Sequence, residues 1–253
     1  MSSVQIATLF LAAVAAGAIN SVAGGGSFIS FPALLLAGVP PISANATNAT
    51  ALWPGTVASV GAYRRELAVQ RRGIVLFSAI SLLGGLIGAL LLLQTQERTF
   101  EQLIPYLLLA ATLIFALSPR ITRWTRQWGE HGRERWSRRL VVLALYFGVA
   151  IYGGFFGAGL GILTLAVLGL LGLEQIHEMN ALKVLQASLV NGVAVLTFAL
   201  AGAVQWPIAL LMAAGGIVGG YGGAAIARRV NPIAVRWVII AISVSLTVYF
   251  FIR

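Results

Sequence analysis

The sequence predicts an all-α fold: a polytopic bundle of transmembrane helices made of two inverted repeats, each opening with a glycine-broken or re-entrant helical hairpin. Three observations carry this reading. Hydrophobic residues make up 59% of the 253-residue chain and charged residues only 9%, against about 25% charged in a soluble domain, so the chain cannot cover a water-facing surface. The apolar runs are continuous and reach the roughly 20 residues a helix needs to cross a bilayer, whereas a membrane barrel would alternate. Finally, two apolar runs are interrupted by glycine clusters at matching places in the two halves, Gly24-Gly25-Gly26 in one and Gly153-Gly154 through Gly157, Gly159 and Gly161 in the other.

The elements follow in order. Residues 4–19, within the apolar segment 4–22, resemble the apolar part of a secretory leader, but no Lys or Arg precedes Arg64, so the positive leader end is missing and the segment reads as a retained membrane helix. The glycine run 24–26 weakens the helix there, and a short apolar segment, 27–38, follows. Segments 45–62, 73–93 and 102–118 complete the first half. Stretch 119–139 is polar and mixes Arg with Trp; two readings stand, an amphipathic segment on the anionic inner leaflet and a solvated linker with interface anchors. The second half repeats the order with 140–154, 160–172, 179–202, 207–227 and 233–251. The chain thus divides into an N-terminal repeat, 1–118, a basic cytoplasmic linker, 119–139, and a C-terminal repeat, 140–253.

Internal similarity supports the division. Gly24 to Leu35 matches Gly157 to Leu168, Asn45-Ala46-Thr47-Asn48 matches Asn180-Ala181-Leu182-Lys183, and the glycine pair Gly84-Gly85 matches Gly219-Gly220. Three matches in one order at nearly constant separation indicate duplication. Charge then sets orientation, because cytoplasmic loops collect Lys and Arg. Arg64, Arg65, Arg71 and Arg72 place loop 63–72 inside, and the arginines of 119–139 place the linker inside. Loop 94–101 carries Glu97 and Glu101 and reads as outside, yet its repeat equivalent carries Arg228 and Arg229 and reads as inside. The two halves are therefore expected to be inverted, which their odd number of segments permits. Glu174 and Glu178 fall in an inside loop, but acidic residues contribute little to orientation.

The same features exclude several functions. The net charge of +10 would suit nucleic acid, but the arginines sit between apolar runs, so no nucleic-acid partner is expected. There is no cysteine and only two histidines, His131 and His177, which leaves little with which to hold a metal or haem; no cofactor is expected. No cluster of His, Cys or carboxylates suggests an enzyme, and no nucleotide-binding loop suggests direct use of ATP. Paired broken helices in the two halves of a membrane protein point instead to a transporter's binding site.

Lys183 is the chain's sole lysine and lies inside an apolar run; the chain has no Asp, and its seven Glu lie in or beside loops. Charge within the membrane usually faces a cavity or partner, although a lysine one turn into a helix can also snorkel to the interface. A cation carrier would want carboxylates at depth, so the site suits an anion. Helices starting after the two glycine runs would aim their positive ends at it. The candidate binding set is Asn20, Gly24, Gly25, Gly26, Ser27, Asn45, Asn48, Gly157, Gly159, Asn180, Lys183 and Asn191. Ser43, Thr47, Thr50 and Ser188 are more in keeping with interhelical hydrogen bonding, and Gln186 is a further uncharged donor.

The motifs Ala18-Ile-Asn-Ser-Val-Ala-Gly-Gly-Gly-Ser, Phe31-Pro32 and Ala44-Asn-Ala-Thr-Asn-Ala-Thr resemble the signature of the TauE/SafE sulfite exporter family. Gly153-Gly-Phe-Phe-Gly-Ala-Gly-Leu-Gly and Asn180-Ala-Leu-Lys resemble its repeated half. The resemblance implies a multi-pass carrier in the bacterial inner membrane that moves sulfite, a sulfonate or a related anion, with export the precedent. Its partners would be that small anion and the lipid bilayer; protons as coupling ion and a second copy of the chain as homodimer partner are allowed, though no residue identifies either. A passive anion channel and an importer of another small organic anion remain the alternatives.

The inverted arrangement makes a direct prediction. In this cysteine-free chain, Ser2→Cys is expected to react with an impermeant thiol reagent added outside intact cells, and Asn231→Cys only after the membrane is opened. The reverse pattern at both positions would favour a parallel duplication.

Overall fold

A computed structural model describes residues 2–22, 25–64, 67, 71–130, 136–170, 176–227 and 232–252. Among them the chain forms ten helices and no strand: α1 (Ser3–Val22), α2 (Ser27–Leu36), α3 (Pro41–Ala62), α4 (Arg71–Gln94), α5 (Glu97–Glu130), α6 (Trp136–Phe155), α7 (Leu160–Leu170), α8 (Ile176–Leu200), α9 (Trp206–Ala227) and α10 (Pro232–Ile252). Helices α1, α4, α5 and α8 contain apolar stretches long enough to cross a membrane, namely Ser3–Asn20, Ile74–Gln94, Glu97–Ser118 and Glu178–Leu200. Helices α2 and α7 have only 10 and 11 residues, about half of what a span requires.

Those two short helices are the return arms of hairpins. A Cβ on Gly26 would lie 2.5 Å from Ala16 O, while Gln5 Nε2 donates to Ala37 O at 3.3 Å. Helix α2 therefore starts beside the middle of α1 and runs back antiparallel along it. The α6–α7 hairpin has the same form. Gly157 and Gly159 turn the chain at φ +79° and +77°, values that side chains rarely adopt, and the Tyr152 hydroxyl donates to Ala158 O at 2.6 Å across the turn.

The hairpins dock on the opposite halves of the chain. α1 packs on α9, and α6 on α4. Both contacts depend on bare glycine: a Cβ on Gly17 would collide with Gly216 O, one on Gly219 with Val14 O, one on Gly88 with Ile151 O, and one on Gly154 with Gly85 O. Such close backbone approach is the usual way membrane helices gain packing energy, since lipid supplies no hydrophobic drive between them. The remaining major pairs also come in counterparts. α4·α8 answers α9·α3, α5·α7 answers α10·α2, and α3·α8 and α5·α10 meet their own equivalents.

Two boundaries differ from the sequence expectation. Helix α3 begins at Pro41, ahead of the apolar run 45–62, because proline is well suited to a helix's first position, and so sets Asn45 and Asn48 inside the helix rather than at its start. Helix α5 continues through Pro119 to Glu130, so most of the stretch expected as a linker is helical. Proline removes one intrahelical hydrogen bond, and no glycine follows until Gly129, so the helix resumes. Arg228 and Arg229, which anchored the orientation argument, lie outside the described residues.

The glycine contacts predict a stability effect. Gly154→Val is expected to lower the melting temperature of the detergent-purified protein, with an overpacking cost of about 1–3 kcal/mol. Gly55→Ala, where nothing lies within 4 Å of an added Cβ, should be neutral or slightly stabilising. Equal melting of the two variants would contradict the packing account.

Candidate functional site

The two hairpin tips meet inside the bundle and frame a cavity of about 200 Å³. One wall is the end of α1 with Asn20, and the tip Gly25, Gly26 and Ser27. The facing wall is the other tip, with Gly157, Gly159, Leu160 and Gly161. Leu52, Thr56 and Ser59 on α3, and Lys183, Ala187 and Asn191 on α8, close the sides. Both short helices thus present their N-terminal ends to one space. The N–H groups of Phe28, Ile29, Leu160 and Ile162 bond back to the carbonyls of Gly25, Gly26, Gly157 and Gly159, so what the tips bring to the space from two directions is chiefly the positive dipole end of each helix.

Lys183 adds a full charge. Its stem crosses Gly161, where an added Cβ would lie 3.3 Å from Lys183 Cδ, and its Nζ donates to Asn180 Oδ1 at 3.0 Å. No Asp or Glu is among the lining residues. Within the described residues, the side chains of Asn20, Ser27 and Asn191 make no hydrogen bond to the protein, so their polar atoms are available to a ligand.

Eight of the sequence candidates line this cavity: Asn20, Gly25, Gly26, Ser27, Gly157, Gly159, Lys183 and Asn191. Asn45 and Asn48 are elsewhere. They line a void of about 40 Å³ that shares Ser27, Leu52, Gly157 and Asn191 with the main cavity. Both amides also have protein partners: Asn45 Nδ2 donates to Phe155 O at 3.1 Å, and Asn48 Oδ1 accepts from the Ser30 hydroxyl. Asn180 stands behind Lys183 and holds its ammonium without lining the cavity. Gly24 lies outside the described residues.

Sequence reasoning missed Leu52, Thr56, Ser59 and Gly161. The three α3 residues continue from Asn45 and Asn48 at helical spacing of three and four, a signal that places them on the same face. The hydroxyls of Thr56 and Ser59 donate to Trp53 O at 2.7 Å and Gly55 O at 2.8 Å. Among the described residues there is no group of three or more His, Cys, Asp or Glu placed to hold a metal ion.

The sequence profile of the family described as "Sulfite exporter TauE/SafE" matches residues 9–250. The chain belongs to the sulfite exporter TauE/SafE family. At this level its function is that of a membrane transporter. Relatives in this family include a "Probable membrane transporter protein" of Haemophilus influenzae, 30% identical over 243 residues and covering 96% of this chain and 92% of the relative. The "Probable membrane transporter protein YfcA" of Escherichia coli K12 is 30% identical over 245 residues, covering 96% and 88%. "Probable membrane transporter protein ORF9" of a Sinorhizobium species is 30% identical over 249 residues, covering 96% and 91%. No solved structure matches the chain significantly. In this TauE/SafE chain the residues that carry the family resemblance, the two glycine runs and the Asn-Ala segments, are those that build and flank the cavity.

The tips generate a prediction. Gly157→Leu would force a side chain into the left-handed region, at about 1–2 kcal/mol. Gly25→Leu would press an added Cβ against the rings of Phe28 at 3.3 Å and Phe115 at 3.4 Å. With sulfite as the probe anion, both variants should lose most of the ligand-induced rise in melting temperature. A full rise in both would remove the tips from the site.

Proposed function

We propose that this protein is a secondary transporter that carries a small sulfur-containing oxyanion, sulfite or an organosulfonate, across the bacterial inner membrane, with export as its direction. The observation that carries the proposal is the cavity's chemistry. The chain's one lysine and two helix N-terminal ends converge on a space of about 200 Å³ whose lining combines glycine and aliphatic side chains with amides and hydroxyls and holds no carboxylate. Such a space attracts a small anion, orients its oxygens by backbone and amide donors, and repels no part of it. A cation would enter without a counter-charge.

The two-sided character of the site rests on the repeats. We take residues 1–118 and 140–253 as inverted repeats joined by 119–139. The exchange of hairpins between halves and the paired helix contacts support this. In transporters of that design the site lies at the repeat interface, where rocking one unit against the other exposes it to either side. The family name supports sulfite as cargo; the low charge of the site favours a monoanion or small dianion.

The proposal is tested by flux into proteoliposomes from a panel of anions, with and without a pH gradient. Sulfite or a short sulfonate is expected to be carried with saturation, which a passive channel would not show. Lys183→Ala removes a charge-assisted contact worth roughly 1.5–3 kcal/mol, so affinity should fall about 10- to 100-fold while expression is kept. Transport by Lys183→Ala at the wild-type rate would reduce the lysine to an interfacial anchor, and carriage of cations or neutral sugars would overturn the anion reading.

A further inference from the structure

The cavity is not symmetric about the hairpin tips. On α3 its lining runs from Leu52 through Thr56 to Ser59, toward that helix's C-terminal end, and on α8 it runs from Asn191 back to Lys183, toward that helix's N-terminal end. Both directions lead to the basic end of the bundle. The other end is closed. There Asn45 Nδ2 ties α3 to the last residue of α6 through Phe155 O at 3.1 Å. The backbone N–H of Gln205 donates to Thr47 Oγ1 at 3.0 Å, and Phe31 meets Phe156 edge to face at 5.4 Å. Only the small void remains on that side.

The repeat supplies each half of this closure with a counterpart. Asn180 is the equivalent of Asn45 in the matched Asn-Ala segments. Val22, the last residue of α1, is the equivalent of Phe155, the last residue of α6. In this structure the counterpart bond is not made: Asn180 Oδ1 accepts from Lys183, and no bond from its Nδ2 to the described residues is present. The two halves touch at an equivalent pair, Trp53 Nε1 donating to Ser188 O at 3.0 Å.

Resting on the transporter reading above, we infer that Asn45 and Asn180 are alternating latches rather than ligands of the anion. The Asn45–Phe155 bond holds the site closed toward the N-terminal end and open toward the basic end. In the alternate state it breaks, and Asn180 Nδ2 donates to Val22 O to close the basic end. Asn180 keeps its second role in both states, because its Oδ1 and Nδ2 act on different partners; it positions the Lys183 ammonium while its amide nitrogen is left for the latch. The asymmetry of the Lys183 half then gives the two states unequal hold on the anion.

Reporter cysteines test this in the otherwise cysteine-free chain. Ser59→Cys reports the open route, and Ala194→Cys, its repeat equivalent on the rim of the small void, reports the closed one. An impermeant maleimide is applied from each face of oriented vesicles. Asn45→Ala should raise labelling of Ala194→Cys from the N-terminal-end face roughly fivefold, the population change expected of one hydrogen bond, and lower that of Ser59→Cys. Thr47→Val, which keeps shape but removes the acceptor for Gln205, should shift labelling the same way and covers the case in which Asn45→Ala does not fold. Adding Asn180→Ala should return the ratio toward that of the parent. An unshifted ratio in Asn45→Ala and Thr47→Val, or a further shift in the same direction on adding Asn180→Ala, overturns the latches. Sulfite flux by the parent in proteoliposomes separates the two levels: flux with unshifted labelling sinks the latches alone, whereas no flux of any anion counts against the transport reading.

Discussion

A helix broken inside a membrane leaves N–H and C=O groups that lipid cannot satisfy. The rest of this structure is arranged around that constraint. Two helices are broken by glycine, and their loose ends do not face lipid. The tip between α1 and α2 and the tip between α6 and α7 face each other across one cavity, and the N–H groups that open α2 and α7 bond back to the glycine carbonyls of their own tips. The glycine runs of the two halves thus stand on facing walls of one cavity.

Bringing the tips together requires the hairpins to leave their own halves. α1 lies on α9 and α6 on α4, at separations where backbone touches backbone. Glycine at positions 17, 88, 154 and 219 is what makes this approach sterically allowed. The same residue type therefore does two unrelated things here. At Gly157 and Gly159 it permits a left-handed turn, and in the helices it removes side-chain volume. Around the tips, rings pack edge to face, with Phe28 on Phe115 and Phe31 on Phe156.

The helical bundle and its broken segments were legible because composition and glycine position are one-dimensional signals. A run of apolar residues declares a membrane helix without reference to its neighbours, and Gly24-Gly25-Gly26 declares a break. Lys183 stood out for the same reason, as the one lysine in the chain. What could not be read was contact. Asn45, Asn48 and Asn180 look alike in sequence, yet one caps α6, one accepts from Ser30 and one holds Lys183; only the fold decides which amides are already engaged. The role of Gly161 depends on the path of a side chain from another helix. The length of α5 was hidden by Pro119 and by arginines that mark a loop and a helix end equally well.

The account's central claim is that one anion binds between the two tips, within reach of Lys183 Nζ. The most direct measurement is a structure of the protein with a bound heavy oxyanion, such as selenite in place of sulfite, located by its anomalous scattering. The account predicts a single peak between Gly25–Ser27 and Gly157–Gly159, at hydrogen-bonding distance from the Lys183 ammonium. A peak elsewhere, or an empty cavity at saturating anion with Lys183 still held only by Asn180, would contradict it.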